Sequence, residues 1–210
     1  MRQAITKIFV ASIRPIGDTC KEYALSNMPD NCALTDTIES ADVIFSIIYD
    51  KIFSKSFLEK NRCYNFHCGI LPYYGGSNSS CWSIINKEEE YGITLHKIDA
   101  GLDTGPIIDI QKFKIEPTDT AYSLYALGEK VILQMFQEWF VKLVLRDYDA
   151  VEQQQPVKIY YKKRLDRVKD ISHLVRGLYF PEKESLYFYN KYGEKVYVSY
   201  DMRQQDFKDE

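Results

Sequence analysis

The sequence has few of the residues that mark cross-linked, repetitive or membrane-embedded chains. Ten glycines and seven prolines among 210 residues are too few for a linker-dominated or collagen-like chain. Five irregularly spaced cysteines favour reduced thiols over a disulfide framework. No apolar run is long enough to span a bilayer, and Arg14 and Pro15 interrupt the first run too early for a signal peptide. We therefore expect a cytoplasmic chain that does not associate with a membrane.

The sequence also lacks an excess of charge of either sign. Lysine and arginine number 27 against 30 aspartates and glutamates, which gives a net charge of −3. A protein whose affinity depends on neutralising many phosphates carries a basic surplus, so we expect no nucleic acid partner. A hydrophobic content of 45% and a charged content of 27% are those of an ordinary globular domain. A chain of this length can bury its own core without a structural metal.

Short apolar runs alternate with helical periodicities over the first 150 residues. The predicted strands are residues 5–12, 42–49, 62–67, 91–98 and 106–115. The predicted helices are residues 18–27, 54–60, 78–86 and about 120–146. This alternation predicts an α/β domain over residues 1–150, with an open, largely parallel, twisted sheet flanked by helices.

Residues 151–210 differ in composition and are predicted to form a small extension. Residues 152–156 are typical of a polar linker, and residues 170–179 predict a short helix. Residues 186–190 and 194–199 flank a Lys-Tyr-Gly turn and predict a β-hairpin. We expect this extension to contribute to substrate binding, to dimer contacts or to both.

Two segments carry residue types suited to chemistry. Asn65 and His67 lie two positions apart at the end of the third long strand, so their side chains project together. They lie at the carboxyl edge of the sheet, where open α/β folds bind ligands. Further on, residues 99–106 place Asp99 and Asp103 in a glycine-bounded loop. Taken separately, such a histidine is more often structural, and such an aspartate is usually part of the turn.

Taken in order, the two segments resemble one family. They read NFHCGILPYYGG over residues 65–76 and GITLHKIDAGLDTGPII over residues 92–108. They resemble the N10-formyltetrahydrofolate-dependent formyltransferases, in which Asn and His two positions apart precede Leu-Pro and an Asp in a glycine-rich loop. The resemblance implies a Rossmann-like fold, N10-formyltetrahydrofolate as the co-substrate and no metal.

The resemblance also implies that Asn65, His67 and Asp103 catalyse the transfer. An amine that attacks a formyl carbon makes that carbon tetrahedral, and the formyl oxygen gains negative charge. The Asn65 amide and a His67 N–H would donate hydrogen bonds to that oxygen. Asp103 would orient His67 and accept a proton from the amine, directly or through water.

The folate site is placed by the same resemblance on two short segments. Its residues would be Lys51, Ile52, Phe53, Ile98, Ala100, Gly101 and Leu102. From the residues themselves, Ile52 and Phe53 could equally be ordinary core side chains.

Three branches of the family formylate different amines. Methionyl-tRNA enzymes typically have a basic loop after Leu-Pro, whereas residues 73–76 here read YYGG. Glycinamide-ribonucleotide enzymes typically hold a phosphate on a glycine-rich turn after the first strand, whereas residues 12–18 contain one glycine. Residues 75–82 and 164–181 are similar to nucleotide-sugar N-formyltransferases, so we expect that branch. The other two branches stay open, as does a relative that binds these ligands without turnover.

This branch implies particular contacts to a nucleotide-linked amino sugar. They would involve Asn78, Trp82, Arg176, Tyr179 and Phe180, since aromatic rings stack on a base and guanidinium groups bind a diphosphate. The alternative is that the aromatic residues only pack the extension onto the domain. We expect a dTDP-linked 4-amino-4,6-dideoxy sugar as the substrate, and a homodimer formed through the extension is left open.

Other site classes have weaker support. A metal site would have to combine His67 with Cys63, Cys68 and Cys81, whose spacing is not that of a zinc motif. A Cys–His nucleophile pair has no supporting partner spacing.

Overall fold

Strands and helices alternate along the chain, as the apolar patterning predicts. The computed structural model describes residues 4–161, 177, 187–189 and 195–197. The strands are β1 (Thr6–Ala11), β2 (Cys32–Leu34), β3 (Val43–Ile47), β4 (Arg62–Cys68), β5 (Gly75–Gly76), β6 (Glu90–Lys97), β7 (Ile107–Lys114), β8 (Ile159–Tyr160), β9 (Tyr187–Tyr189) and β10 (Lys195–Tyr197). The helices are α1 (Ile16–Ser26), α2 (Lys55–Leu58), α3 (Ser79–Ile85) and α4 (Ala121–Leu145), and Ile38–Ser40 form a 3₁₀ turn.

The main sheet has six strands in the order β2-β1-β3-β4-β6-β7. The first four strands are parallel, and β6 runs antiparallel to both β4 and β7. The nine residues between β6 and β7 suit a hairpin connection and are too few for a crossover. The predicted α/β class with an open, largely parallel sheet is confirmed, with β6 as the one strand of this sheet that runs opposite to the others.

The largest core lies between the sheet and α4. Phe45 of β3 and Phe66 of β4 are buried against Phe136 and Phe140 of α4. The Phe45 and Phe136 rings meet edge to face at 5.4 Å. A capping box fixes the start of α4, because the Thr120 hydroxyl accepts the backbone N–H of the residue at N3 and that residue's hydroxyl accepts the Thr120 N–H. This packing fixes β3 and β4, the strands that carry the candidate site.

The chain after α4 packs against the domain on both sides of the predicted polar linker, residues 152–156, which are neither strand nor helix. Val151 and Ile107 exchange two backbone hydrogen bonds of 2.8 Å. Further on, β8 pairs in parallel with β5. The strands β9 and β10 pair antiparallel, as the predicted hairpin requires. The predicted helix over residues 170–179 lies outside the described residues except for Gly177, which is helical.

Within the part of the chain that the structure describes, no helix has both the length and the apolar character needed to cross a bilayer.

Candidate active site

Asn65 is held by a histidine from the neighbouring strand. The antiparallel register of β4 and β6 places Asn65 directly opposite His96, so their side chains share one face of the sheet. The His96 Nδ1–H donates to the Lys97 carbonyl oxygen at 2.7 Å, which leaves Nε2 as an acceptor. The Asn65 amide nitrogen lies 3.2 Å from that Nε2 and donates to it. This contact fixes which side of the carboxamide carries the N–H groups.

Burial favours the neutral form of the His96 ring. Its side chain is only 2% exposed. Burial, with a smaller contribution from the nearby His67, lowers the pKa of His96 from 6.5 to about 4. A neutral ring keeps the Nε2 lone pair that Asn65 needs.

His67 contacts two different loops through its two ring nitrogens. Its Nε2 lies 2.7 Å from the carbonyl oxygen of Tyr74, and because a carbonyl only accepts, Nε2 carries a hydrogen. Its Nδ1 lies 3.6 Å from Oδ1 of Asp103. The imidazole is therefore held between the loop after β4 and the loop after β6.

Asp103 is the point where these groups meet. Its Oδ1 lies 3.6 Å from His67 Nδ1 and 3.7 Å from His96 Nε2, while its Oδ2 accepts the Gly76 backbone N–H at 2.7 Å. The residue has a left-handed backbone with φ of 56°, a conformation that non-glycine residues rarely adopt. The structure thus brings Asn65, His67 and Asp103 together around His96.

The loop that carries Asp103 is tied internally. The Asp99 carboxylate accepts the Gly101 backbone N–H at 3.1 Å and the Thr104 hydroxyl at 2.7 Å. These bonds close a tight turn in front of Asp103. The second carboxylate of the predicted loop, Asp99, therefore shapes the loop.

A cavity of about 370 Å³ opens beside the catalytic candidates. Asn65 and His67 are among the residues that line it, and so is Asn78, one of the predicted substrate residues. Arg14, from the turn after β1, and Tyr125 of α4 also line the cavity, and the Arg14 Nε donates to the Tyr125 hydroxyl at 3.0 Å. Sequence reasoning did not select Arg14 or Tyr125.

Trp82 is placed elsewhere. It is 8% exposed and packs in a small cluster with Tyr74 and Tyr160, whose rings stack at 5.0 Å. It is not among the residues that line the cavity, since β8 brings Tyr160 over its indole. The predicted substrate residues Arg176, Tyr179 and Phe180 lie outside the described residues.

The two predicted folate segments meet at one apolar cluster. Phe53 and Ile98 both pack against it, and the Phe53 ring stacks on Tyr49 at 6.0 Å and on Phe57 at 5.3 Å. Ile52 is 90% exposed, so the alternative that it is an ordinary core residue is wrong. The remaining predicted folate residues are exposed to solvent: Lys51, Ala100, Gly101 and Leu102.

The cysteines are free thiols that lie apart. Cys63 and Cys81 are buried in different hydrophobic clusters. Within residues 4–161 and the few other described positions, no three His, Cys, Asp or Glu side chains are grouped as metal ligands would be. The alternative site of these cysteines with His67 and Cys68 is therefore not assembled in the described residues.

His96 is the main site residue that sequence reasoning missed. It lies inside a strand with alternating polarity, where a buried histidine has no motif of its own. The signal that could have found it is the pairing of β6 with β4, because that register alone places it opposite Asn65.

Comparison with known proteins identifies the family. A sequence profile described as Formyl transferase matches residues 20–138, more than half of the chain. The chain belongs to the formyl transferase family. It is an enzyme of formyl transfer, which confirms the family and the reaction class that the motifs predict.

The relatives also agree with the fold. GDP-perosamine N-formyltransferase of Brucella melitensis biotype 1 is 34% identical over 200 residues, which cover 84% of this chain and 76% of that protein. A sugar N-formyltransferase from a Shewanella species superposes with a TM-score of 0.81 at 16% identity, over 92% of this chain and 96% of that one. An N-formyltransferase of Helicobacter canadensis, in complex with folinic acid and dTDP-3-aminofucose, superposes with a TM-score of 0.72 at 25% identity, over 85% of this chain and 82% of that one.

Proposed function

We propose that this enzyme transfers a formyl group from N10-formyltetrahydrofolate to the amino group of a nucleotide-linked sugar. The observation that carries the proposal is the convergence of the Asn65 carboxamide, the His67 imidazole and the Asp103 carboxylate beside an open cavity. The names of the Brucella and Helicobacter relatives support a sugar nucleotide as the acceptor, and the folinic acid bound by the latter supports a folate donor.

Asn65 supplies a hydrogen-bond donor where charge develops. One hydrogen of its amide nitrogen goes to His96 Nε2, which leaves the second for the formyl oxygen as the carbon becomes tetrahedral. Because His96 fixes the amide orientation in advance, Asn65 does not need to turn during the reaction. A preorganised donor of this kind typically contributes about 10²–10³ in rate.

His67 and Asp103 move the proton that the reaction displaces. A new C–N bond forms at the amine and the bond from the formyl carbon to N10 breaks, so one proton passes from the amine to N10. Asp103 accepts the amine proton, and His67, 3.6 Å away, relays it to the departing folate nitrogen. His67 Nε2 can also donate to the oxyanion if that oxygen replaces the Tyr74 carbonyl as its acceptor.

Arg14 gives the cavity a cationic group suited to a diphosphate. Its guanidinium carbon lies 5.3 Å from the Tyr125 ring centroid, and the hydrogen bond to the hydroxyl orients it. Burial raises the pKa of Tyr125 to about 12, so the hydroxyl stays protonated beside an anion. With Asn78 on the same cavity, these residues form our proposed nucleotide side of the site.

The apolar cluster that Phe53 and Ile98 pack against is the proposed folate side. Ile52, next to Phe53 in the chain, and Leu102, four residues after Ile98, are exposed apolar side chains. A ligand that covered them would remove apolar surface from water, at roughly 25 cal/mol per Å². The substrate we propose is a dTDP-linked 4-amino-4,6-dideoxy sugar.

The test is an acceptor panel assayed with N10-formyltetrahydrofolate. It contains dTDP-, GDP- and UDP-linked amino sugars, glycinamide ribonucleotide and methionyl-tRNA, with tetrahydrofolate release and the mass of the product as readouts. We expect N-formylation of a dTDP-amino sugar by the native enzyme and almost none by Asn65→Ala. Preference for a GDP-linked sugar would correct the nucleotide only. Turnover with a non-sugar acceptor, or binding of the whole panel without turnover, would overturn the proposal.

A further inference from the structure

The residues that follow α4 cross both loops of the active site. We call residues 151–160 the strap. The Lys158 N–H donates to the Pro72 carbonyl oxygen at 2.8 Å, and the Gly75 N–H donates to the Lys158 carbonyl oxygen at 3.0 Å. At its start, Val151 pairs with Ile107 at the beginning of β7. The strap therefore joins the loop after β4 to the loop that carries Asp103.

One side chain of the strap reaches the backbone of the Asp103 loop. The Gln153 amide nitrogen donates to the carbonyl oxygen of Asp103 at 2.8 Å and to that of Gly105 at 2.9 Å. Both hydrogens of the amide are used, and a rotated amide would set its oxygen against two carbonyl oxygens. The orientation of the Gln153 side chain is thus determined by these two acceptors.

The other end of the same amide indicates that the contact is not optimised for stability alone. The Gln153 Oε1 atom is buried and has no hydrogen-bond partner. A buried acceptor without a partner is unfavourable, so the two bonds to the loop are made in spite of that loss. A glutamine at this position is better explained by what it holds than by its own burial.

Resting on the function proposed above, we infer that Gln153 is a positioning residue for Asp103. The left-handed backbone of Asp103 and its carboxylate, which accepts the Gly76 N–H and faces His67, depend on where the loop backbone lies. Gln153 fixes that backbone from outside the turn, at the one carbonyl that belongs to Asp103 itself. A displacement of about 1 Å at such a group costs up to about 10² in rate.

The first readout needs no substrate. Gln153→Met keeps the length of the side chain and removes both donors. Gln154→Met is the matched control, since within the described residues the Gln154 amide donates only to the Glu152 carbonyl oxygen, at the surface. We expect hydrogen exchange of the Gly76 amide, followed by NMR, to accelerate about tenfold in Gln153→Met. The bond that protects this amide is the one it donates to Asp103, and loss of one hydrogen bond is worth about that factor. Unchanged exchange would overturn the inference, whatever the enzyme formylates.

The second readout is steady-state kinetics with the acceptor found in the panel. We expect Gln153→Met to lower kcat by about 10- to 100-fold and to leave KM for both substrates within about twofold. Gln153→Glu should be at least as slow, because a carboxylate oxygen would face the carbonyl oxygens of Asp103 and Gly105. Gln154→Met should match the native enzyme. A merely structural role would lower the melting temperature and leave kcat of the folded enzyme unchanged, which would refute the inference. A native enzyme without sugar transfer would refute the proposed function instead, and the amide exchange would still decide the role of Gln153.

Discussion

Acidification should destabilise this protein through His96. The folded state lowers the pKa of His96 from 6.5 to about 4, chiefly by burial. Between those values the unfolded chain binds a proton at this histidine that the folded chain does not bind, so unfolding becomes more favourable as the pH falls. The stabilisation is fully present above pH 6.5, declines from there to about pH 4, and then stays constant. A shift of this size corresponds to roughly 3 kcal/mol of unfolding free energy, and most of that is lost by about pH 4.5.

The measurement compares the native protein with His96→Gln by urea denaturation between about pH 7.5 and 4.5. Carboxylates titrate in both proteins, so the difference between the two unfolding free energies isolates the histidine. We expect the advantage of the native protein over the variant to shrink by about 2–3 kcal/mol over this range. Formyl transfer by the folded enzyme should fall only near pH 4, where His96 Nε2 becomes protonated and can no longer accept the Asn65 amide hydrogen.

A difference that does not change with pH would refute the reasoning. It would mean that His96 is protonated equally in the folded and unfolded chains, and that burial does not favour the neutral form of its ring. A difference that grows on acidification would show a protonated His96 stabilised by Asp103, 3.7 Å away, and would assign the shared proton to that pair.

Three further substitutions test separate parts of the site. Asn65→Ala should keep the fold and folate binding and lower kcat by about 10²–10³; near-native kcat would remove it from the oxyanion role. Arg14→Gln should raise KM for the sugar nucleotide about 10- to 100-fold, whereas Arg146→Gln, which removes the same charge elsewhere, should not. Gly76 has φ of +87°, and in Gly76→Ala the new Cβ would lie 2.3 Å from a carbonyl oxygen of β8. The unfolding free energy should therefore fall by about 2 kcal/mol or more, whereas the control Ser77→Ala should change the unfolding free energy little.

The placement of Asn65 and His67 followed from sequence because it depends on local rules. A two-residue period and a strand ending at residue 68 are enough to put both side chains on one face at the carboxyl edge. The glycine-bounded loop offered two carboxylates, Asp99 and Asp103, and the family resemblance selected Asp103; the structure shows the tight turn of that loop. The long helix was equally predictable, since its apolar stripe repeats over 25 residues.

Contacts set by pairing between distant segments were not predictable. His96 reaches Asn65 only through the register of two antiparallel strands, and nothing in either strand alone specifies that register. Trp82 was expected at a ligand because aromatic residues stack on bases, yet β8, a strand of two residues, covers it with Tyr160. Strands of two or three residues, such as β5 and β2, are too short to show a period at all.

The strap explains why a boundary based on composition does not coincide with the boundary of the site. Gly75 and Gly76 lie so close to it that a Cβ at Gly75 would be 2.4 Å from the Val157 side chain. The strap therefore needs these glycines, and the same backbone then directs the Gly76 N–H at Asp103. Gln153 holds the other side of Asp103. A polar run such as residues 152–156 has the composition of a linker. Its contacts with the domain are not visible in the sequence, because the Gln153 side chain bonds backbone carbonyl oxygens, which every residue type carries. Residues on both sides of position 150 thus hold one carboxylate, and the chemistry proposed for this enzyme depends on both.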